Sequence, residues 1–273
     1  MPQKQDIYFH VGLPRTASTF LQRKVFPQFG GIRYVKKHDF KKHHQIIADA
    51  TQHVLLSSEI DIGKGRPNAN KLFDFAENYP EAKIILVLRR HDKWIASKYK
   101  YHIRKNGRLT FSEFFNLEKN NGFFRKEHLE YRKIIDLLES LFQHKPLVMF
   151  QEEFKSAPAK SLQYLATYCN ADFDYAQVKA SGVNAAFTVK QLQFLLKFNR
   201  RFAFDESQHG KIRKKIRAGI IHTLAFVSGA FVRNENMKEP LISKEELKSI
   251  RQAYEQDWQA CLNYAASQRK LFF

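Results

Sequence analysis

One apolar run restricts the fold class more than any other feature of the sequence. Residues 84–88 are consecutive aliphatic side chains, flanked by Lys83 and Arg89. A strand with one face in water alternates apolar and polar residues, whereas an uninterrupted run suits a strand that is buried on both faces. Such strands occur mainly in parallel sheets that carry helices on both sides. The run therefore predicts an α/β fold.

Shorter apolar runs and helical patterns alternate along the first half of the chain. Strands are predicted over residues 7–11, 54–58, 83–88 and 146–150. Helices are predicted over residues 17–26, 70–78, from 92, 126–142, 159–169, 189–202, 211–232 and 244–266. The alternation predicts a central parallel sheet flanked by helices, followed by a mostly helical C-terminal third. We predict a single domain over residues 1–273, in which residues 184–240 form a helical lid or subdomain.

Composition places the chain among soluble globular proteins. Its 273 residues are 44% hydrophobic and 27% charged, and a chain of this length can bury a large core. It has no apolar run long enough to span a membrane, and its first residues do not resemble a signal peptide. With only Cys169 and Cys261, we expect reduced thiols and a cytoplasmic protein.

The charge of the chain is strongly unbalanced. There are 46 lysine and arginine residues against 27 aspartate and glutamate residues, which gives a net charge of +19. Such an excess indicates an anionic partner. The composition leaves open whether this is nucleic acid, anionic lipid, a polyanionic glycan or a phosphorylated cofactor.

The first predicted strand leads into a loop with one cation and three hydroxyl groups, Arg15-Thr16-Ala17-Ser18-Thr19. Backbone N–H groups at the start of a helix bind anions, and an arginine adds a planar fork suited to phosphate or sulfate oxygens. The segment therefore predicts an anion-binding loop. The alternative is a hydroxyl group that caps the helix, beside a surface arginine.

The loop departs from a Walker A motif, which has two glycines followed by a lysine. Gly12 is followed by Ala17 rather than a second glycine, and Ser18 takes the place of the lysine. This departure weakens a kinase interpretation.

A second pair of polar residues follows the strand over residues 83–88. Arg89 comes directly after the strand, and Ser97 lies on the next predicted helix. Open α/β sheets bind ligands at the carboxyl ends of their strands, so we expect Arg89 at the same edge as the loop. An arginine and a serine at this spacing are a weak signal by themselves, and their position after a strand gives the signal its value.

Together, the two segments resemble those of sulfotransferases that use 3′-phosphoadenosine 5′-phosphosulfate (PAPS). Many members carry a Lys-Thr-Gly-Thr-Thr-like or Arg-Ser-Gly-Ser-Ser-like loop, which residues 15–19 match, and an arginine and serine spaced as Arg89 and Ser97 are here. The resemblance covers most of residues 6–185 and implies a P-loop-like fold. It implies that residues 15–19 hold the 5′-phosphosulfate, that Arg89 and Ser97 hold the 3′-phosphate, and that the chemistry needs no metal.

Two loop residues differ from the commoner pattern of that family. Arg15 replaces a lysine, and it can stabilise the bridging oxygen but is a poor proton donor because it stays charged. Ala17 stands where the family usually has glycine. Since alanine disfavours positive φ, we expect the loop to pass through backbone conformations that are open to ordinary residues.

An acceptor hydroxyl must lose its proton as it attacks, so a positioned base is expected, which in this family is a glutamate or a histidine. Glu59 is the candidate, because it follows the strand over residues 54–58 and should reach the edge that holds the two anion sites. Ser57 and Ser58 could orient it or contact the acceptor. The alternative is a strand-end glutamate that only pairs with a nearby lysine.

The 11 histidines compete for the same role. His10 lies inside the first strand, where we expect a packed and hydrogen-bonded core residue. His43 and His44 have no spaced acidic or cysteine partner, so we expect no metal site.

A basic segment precedes an apolar one in the last third of the chain. Residues 211–217 include five basic residues, and residues 218–232 carry no charge. The apolar part is too short to span a bilayer. We favour a core helix with a basic flank. The alternative is that residues 211–233 lie on an anionic membrane, which would make the protein membrane-peripheral and suit a lipid-linked glycan.

With this resemblance, the sequence predicts an enzyme that moves a sulfuryl group from PAPS to an acceptor hydroxyl. We expect the acceptor to be a carbohydrate or glycan, including anionic ones. One alternative is a basic module that binds nucleic acid or another polyanion, which explains the charge but not the two strand-end sites. We expect no nucleic-acid partner, because the chain has no recognisable nucleic-acid motif. A second alternative is a P-loop-type kinase, whose lysine is missing here.

Overall fold

The computed structural model describes residues 5–59, 69–178, 187–201 and 240–272, together with residues 219 and 223. Its centre is a sheet of five parallel strands in the order β2-β3-β1-β4-β5. The strands are β1 (Ile7–Gly12), β2 (Ile32–Val35), β3 (His53–Ser57), β4 (Lys83–Leu88) and β5 (Leu147–Phe150). The prediction of an α/β fold with a central parallel sheet is confirmed. Each predicted strand is found within one residue of its expected ends, and β2 was missed.

Helices connect and cover the strands. They are α1 (Ser18–Phe20), α2 (His43–Ala48), α3 (Ala69–Asn78), α4 (His91–Arg104), α5 (Phe111–Phe114), α6 (Tyr131–Leu141), α7 (Glu153–Ser156), α8 (Pro158–Tyr168), α9 (Val189–Arg201), α10 (Lys244–Ala253) and α11 (Glu255–Phe272). None of the helices in the described part of the chain is long and apolar enough to cross a membrane.

Three helical predictions need adjustment. The helix expected over residues 17–26 is α-helical only in α1, after which π-helical and 3₁₀ turns continue it to residue 28. The helix expected over residues 126–142 starts as a 3₁₀ turn before α6. The helix expected over residues 244–266 is two helices, α10 and α11. The helix over residues 211–232, and most of the lid over 184–240, fall outside the described residues.

Both faces of the sheet are buried, as the apolar run predicts. Residues 84–88 in β4 have no solvent exposure. Side chains of alternate residues lie on opposite faces of a strand. One face packs with residues of α3, α6 and α11, and the other packs with residues 21–26 and α8. In β4 the polar Lys83 therefore lies at the end of the strand, whereas the polar His10 of β1 is buried within the sheet.

The strand order determines between which strand ends a ligand can bind. The chain leaves β1 towards β2 on one side of the sheet, and it leaves β4 towards β5 on the other side. Because β1 and β4 are neighbours with connections that diverge, the general rule for open α/β sheets places the ligand-binding crevice between the loops that follow them. The loop over residues 12–18 and the arginine after β4 flank this crevice.

The chain forms two compact units. The first comprises Met1–His91, Glu127–Val183 and Ala253–Phe273, and it contains the whole sheet. The second comprises Asp92–Lys126 and Asn184–Gln252. Within the second unit, Nδ2 of the buried Asn199 donates to the carbonyl groups of Ile103 and Gly107 near the end of α4. The single domain with a lid over residues 184–240 stays a prediction.

The open edge of β5 is covered by one side chain of α11. The amide nitrogen of Gln268 donates to the carbonyl of Pro146, and its Oε1 accepts from the N–H of Val148 at 3.1 Å. Gln268 is only 4% exposed, so both backbone groups are satisfied away from bulk water. Gln268 therefore satisfies two backbone groups at the edge of β5, with which none of the described strands pairs.

Replacing Gln268 with alanine should lower the free energy of unfolding by about 2–4 kcal/mol, because two covered backbone groups lose their partners. Urea unfolding followed by circular dichroism measures the change. Gln259→Ala, an exposed position on the same helix, is the matched control and should shift stability by less than about 0.5 kcal/mol. Equal losses in the two variants would contradict this role for Gln268.

Candidate active site

The loop after β1 starts at a glycine that packs against the chain beyond β3. Gly12 has φ of +99°, and a Cβ at this position would lie 3.3 Å from Cα of Glu59. A side chain here would therefore be strained by the backbone conformation and would crowd the backbone of Glu59. The contact brings the predicted base next to the start of the predicted anion-binding loop.

The loop backbone contradicts the expected ordinary conformation. Arg15 has φ of +72°, and Ala17 has φ of +70° with ψ of 8° in the left-handed region. The expectation that Ala17 avoids positive φ was wrong, because the alanine adopts the conformation that usually belongs to glycine. A left-handed residue followed by right-handed ones turns successive N–H groups to one side, which forms a concavity suited to an anion.

The hydroxyl groups of the loop have different surroundings. Thr16 and Ser18 are buried, and both donate to the carbonyl of Leu13, Ser18 at 3.0 Å. They therefore fix the shape of the loop, and neither caps α1, whose N-cap is Ala17. Thr19 is exposed. The first helical hydrogen bonds start at Phe20, so the preceding N–H groups have no acceptor within the helix.

Arg89 contacts the predicted anion-binding loop at the ends of β1 and β4. Nη1 of Arg89 donates to the backbone carbonyl of Arg15 at 3.5 Å. The carbonyl of Arg89 in turn accepts from the hydroxyl of the fully buried Tyr131 at 2.9 Å. The backbone and the side chain of Arg89 are thus both anchored within the first unit.

Glu59 forms an ion pair at the end of β3. Its Oε2 lies 3.5 Å from Nζ of Lys37, and its side chain is 23% exposed. The pair is the contact that the alternative interpretation of Glu59 expects. It leaves the carboxylate partly open to solvent, as a base for an external substrate must be.

A family model described as a sulfotransferase domain matches residues 36–172, which is half of the chain. The chain belongs to the sulfotransferase family. The match includes Glu59, Arg89 and Ser97, and it begins after the loop over residues 15–19. The predictions of the family and of an enzyme are confirmed.

Two solved structures are similar to this sulfotransferase. The sulfotransferase from Alicyclobacillus acidocaldarius has 15% identity and a TM-score of 0.46, covering 72% of this chain and 93% of that chain. Mouse sulfotransferase SULT7A1, complexed with PAP, has 12% identity and a TM-score of 0.47, covering 98% of this chain and 91% of that chain. None of the curated proteins matches the sequence.

Ser57, one of the two serines before Glu59, has a different role from the one expected. Ser57 is buried, and its hydroxyl lies 2.7 Å from Nδ1 of His10 and accepts from Nε2 of Gln22 at 3.0 Å. Ser57 therefore joins β1 and β3 to the helical turn after the loop, and these contacts do not orient Glu59.

His10 is the packed core residue that the sequence indicates. It has no solvent exposure, and burial lowers the pKa of its imidazole to about 3. The ring is neutral at physiological pH, but it cannot reach an external acceptor. Among the histidines of this sulfotransferase, His10 is therefore excluded as the base.

Sequence reasoning missed the support behind Arg89. His91 is stacked between Tyr131 and Tyr254, with ring centroids 4.1 Å and 4.7 Å away, and its Nε2 lies 3.0 Å from Oδ2 of Asp257. The same carboxylate accepts from the backbone N–H groups of Tyr131 and Arg132 at 3.0 Å. Asp257 thus caps α6 and holds the turn after β4, although its partners are more than a hundred residues away in sequence.

Ser97 lies on α4 within the second unit, and it is partly buried. Its pairing with Arg89 around one phosphate stays a prediction from their spacing. Among the described residues, no group of three or more histidine, cysteine, aspartate or glutamate side chains could hold a metal ion.

Replacing Ala17 with glycine should raise the free energy of unfolding by about 1 kcal/mol, because it removes the steric cost of a left-handed alanine. Thermal and urea unfolding measure the change. Ala266→Gly, at an exposed right-handed position in α11, is the control and should lower stability by about 0.5–1 kcal/mol. A loss of stability at both positions would show that the methyl group of Ala17 matters more than its backbone strain.

Proposed function

We propose that this sulfotransferase moves a sulfuryl group from PAPS to an acceptor hydroxyl. The observation that carries the proposal is the 3.5 Å hydrogen bond from Arg89 to the carbonyl of Arg15, at the crevice between β1 and β4. PAPS carries anionic groups at both ends of its ribose. Two adjacent arginines at the ligand-binding edge of the sheet suit such a donor.

In this proposal, the loop over residues 15–19 holds the 5′-phosphosulfate. The left-handed Ala17 supports this role, because the concavity it forms fits an anion. Arg15 and the N–H groups of the loop supply the positive charge, and Thr19 supplies an exposed hydroxyl. Thr16 and Ser18 contribute by holding the loop through the carbonyl of Leu13. Arg89 holds the 3′-phosphate, with Ser97 as its partner by sequence spacing.

The chemical step is a displacement at sulfur. The acceptor oxygen forms a new bond to sulfur, while the bond from sulfur to the bridging phosphate oxygen breaks and leaves its electron pair on that oxygen. The products are the sulfated acceptor and 3′-phosphoadenosine 5′-phosphate (PAP). Arg15 stabilises the charge that develops on the bridging oxygen, and it does so without giving up a proton.

Glu59 is the proposed base, which takes the proton of the acceptor hydroxyl as the oxygen attacks. Its position beside Gly12 supports this role, since Gly12 opens the loop that would hold the transferred group. Its pair with Lys37 keeps open the alternative that the carboxylate serves only the ion pair.

For the acceptor we propose a carbohydrate or glycan hydroxyl. The net charge of +19 supports an anionic glycan, because the donor alone accounts for only part of such an excess. Contact with a membrane through residues 211–233, and a cytoplasmic location, stay predictions. A bound nucleic acid is not part of this proposal.

Arg89→Ala should weaken the binding of PAP by about 30- to 100-fold, because a charge-assisted contact to the 3′-phosphate is lost. Binding of 5′-AMP, which lacks that phosphate, should change little. Isothermal titration calorimetry without magnesium measures both affinities for the wild type and the variant.

Arg23→Ala removes an exposed arginine from the turn after the loop and should leave PAP binding unchanged. If the wild type binds PAP and 5′-AMP equally, or binds neither, the proposed donor is wrong. A module that recognises polyanions by charge then becomes the better interpretation.

Glu59→Gln should reduce sulfuryl transfer by about 10²- to 10⁴-fold, since the amide keeps the size of the side chain and loses the basic oxygen. PAP affinity should stay within about twofold, because no donor contact is removed. Transfer is measured from labelled PAPS to the best acceptor in a panel of glycosides. Glu77→Gln, at an exposed position in α3, is the control.

Lys37→Met separates the two interpretations of Glu59. If Glu59 is the base, losing Lys37 costs far less activity than losing the carboxylate. Equal effects of Glu59→Gln and Lys37→Met on transfer and on stability would assign Glu59 to the ion pair alone.

A further inference from the structure

A basic segment, residues 36–42, follows β2 at the ligand-binding edge of the sheet. It contains four lysines, and its only acidic residue is Asp39, which lies 3.2 Å from His38. The segment is a 3₁₀ helix over most of its length. Because β2 is parallel to β3 and pairs with it, the segment emerges beside the end of β3 that leads to Glu59.

Two contacts connect the segment to the start of the loop after β1. Nζ of Lys37 is 3.5 Å from Oε2 of Glu59, and Cα of Glu59 is 3.3 Å from the position of a Cβ on Gly12. A molecule held by this segment would therefore lie beside the carboxylate that faces the acceptor.

One apolar residue anchors the segment. The ring of Phe40 packs on Phe9 with centroids 5.5 Å apart, and it joins the core cluster of that sheet face. The carbonyl of Phe40 is also 2.7 Å from Nδ1 of His43 at the start of α2. The backbone is thereby fixed before any ligand binds, which reduces the entropy lost on binding.

The lysine side chains remain in solvent. The side chain of Lys37 is 63% exposed, and Lys36, Lys41 and Lys42 are also exposed. Within the described part of the chain, no carboxylate pairs with Lys36, Lys41 or Lys42. Positive charges that lie close together without acidic partners attract an anion and raise the rate at which it encounters the protein.

We propose that residues 36–42 bind the anionic part of the acceptor, so that the acceptor is a hydroxyl-bearing molecule with carboxylate or sulfate ester groups. This inference rests on the proposed function, since it takes Glu59 as the base. Lysine side chains act as flexible point charges, and they select an anion without fixing its geometry as a bidentate arginine would. The segment therefore favours charged acceptors over neutral sugars and phenols.

The test compares three probes of equal length by calorimetry at fixed ionic strength. They are an oligogalacturonate octamer with one carboxylate per sugar, the neutral maltooctaose, and a single-stranded deoxyoctanucleotide. Lys41→Glu/Lys42→Glu reverses two charges of the segment and leaves the pair of Lys37 and Glu59 intact. Lys155→Glu/Lys160→Glu is the control, and it makes the same change of charge at exposed positions on α7 and α8. These two helices pack on the sheet face opposite to the one that Phe40 contacts.

We expect oligogalacturonate to bind the wild type and the control variant with the same affinity. Its affinity for the Lys41→Glu/Lys42→Glu variant should be about tenfold or more lower. Maltooctaose should bind none of them measurably. Equal losses in the two variants would mean that net charge attracts the glycan, and would overturn the inference. Tighter binding of the oligonucleotide than of oligogalacturonate would overturn it in favour of nucleic acid.

PAP binding to the same variants separates this inference from the proposed function. Both charge-reversed variants should bind PAP as the wild type does. If PAP binds and the glycan ignores Lys41 and Lys42, only the inference fails. If PAP fails to bind while oligogalacturonate binding still depends on those lysines, the proposed function is wrong. The role of residues 36–42 in holding an acceptor is then wrong as well, and these residues are only an anion-binding surface.

Discussion

Burial of both sheet faces is the constraint on which the rest of the molecule depends. Every residue from 84 to 88 in β4 is excluded from water, and apolar residues of helices and turns cover the sheet on either side. Such a sheet cannot carry a charged group along its strands without a large cost in desolvation. Function is therefore limited to the ends of the strands, and the divergence of the chain from β1 and β4 selects one pair of ends. Arg15 and Arg89 lie at that pair.

The parts of the site that follow directly from a strand could be predicted from the sequence. Residues 15–19, Glu59 and Arg89 each come after an apolar run, and parallel pairing brings the ends of such runs to one edge. β2 was missed because it has four residues, two of them Arg33 and Tyr34, and an edge strand of that length has no clear periodicity. The left-handed Ala17 was missed because alanine carries no sequence signal for positive φ; tertiary contacts overrode its local preference.

Contacts between distant segments could not be predicted at all. The sequence places Ser57 near Glu59, the predicted base, but Ser57 is buried in a network with His10 and Gln22 that links two strands and a helical turn. Asp257 lies in a helix whose sequence pattern gives no sign of a partner, yet its carboxylate binds two backbone N–H groups of α6 and meets His91. Pattern reasoning finds side chains that share an element, whereas these groups are brought together only by the packing of the whole first unit.

The position of α11 has a consequence for the order in which the chain can mature during synthesis. This helix supplies Gln268 to the open edge of β5 and Asp257 to the turn that supports Arg89. Until α11 has left the ribosome, a nascent chain with all five strands already made would present an unpaired strand edge, and Arg89 would lack the support behind it. An unpaired edge is a template for association with other chains. Coverage of the β5 edge and support of Arg89 would then be completed together when α11 docks, and chains made only in part would be the ones open to such association.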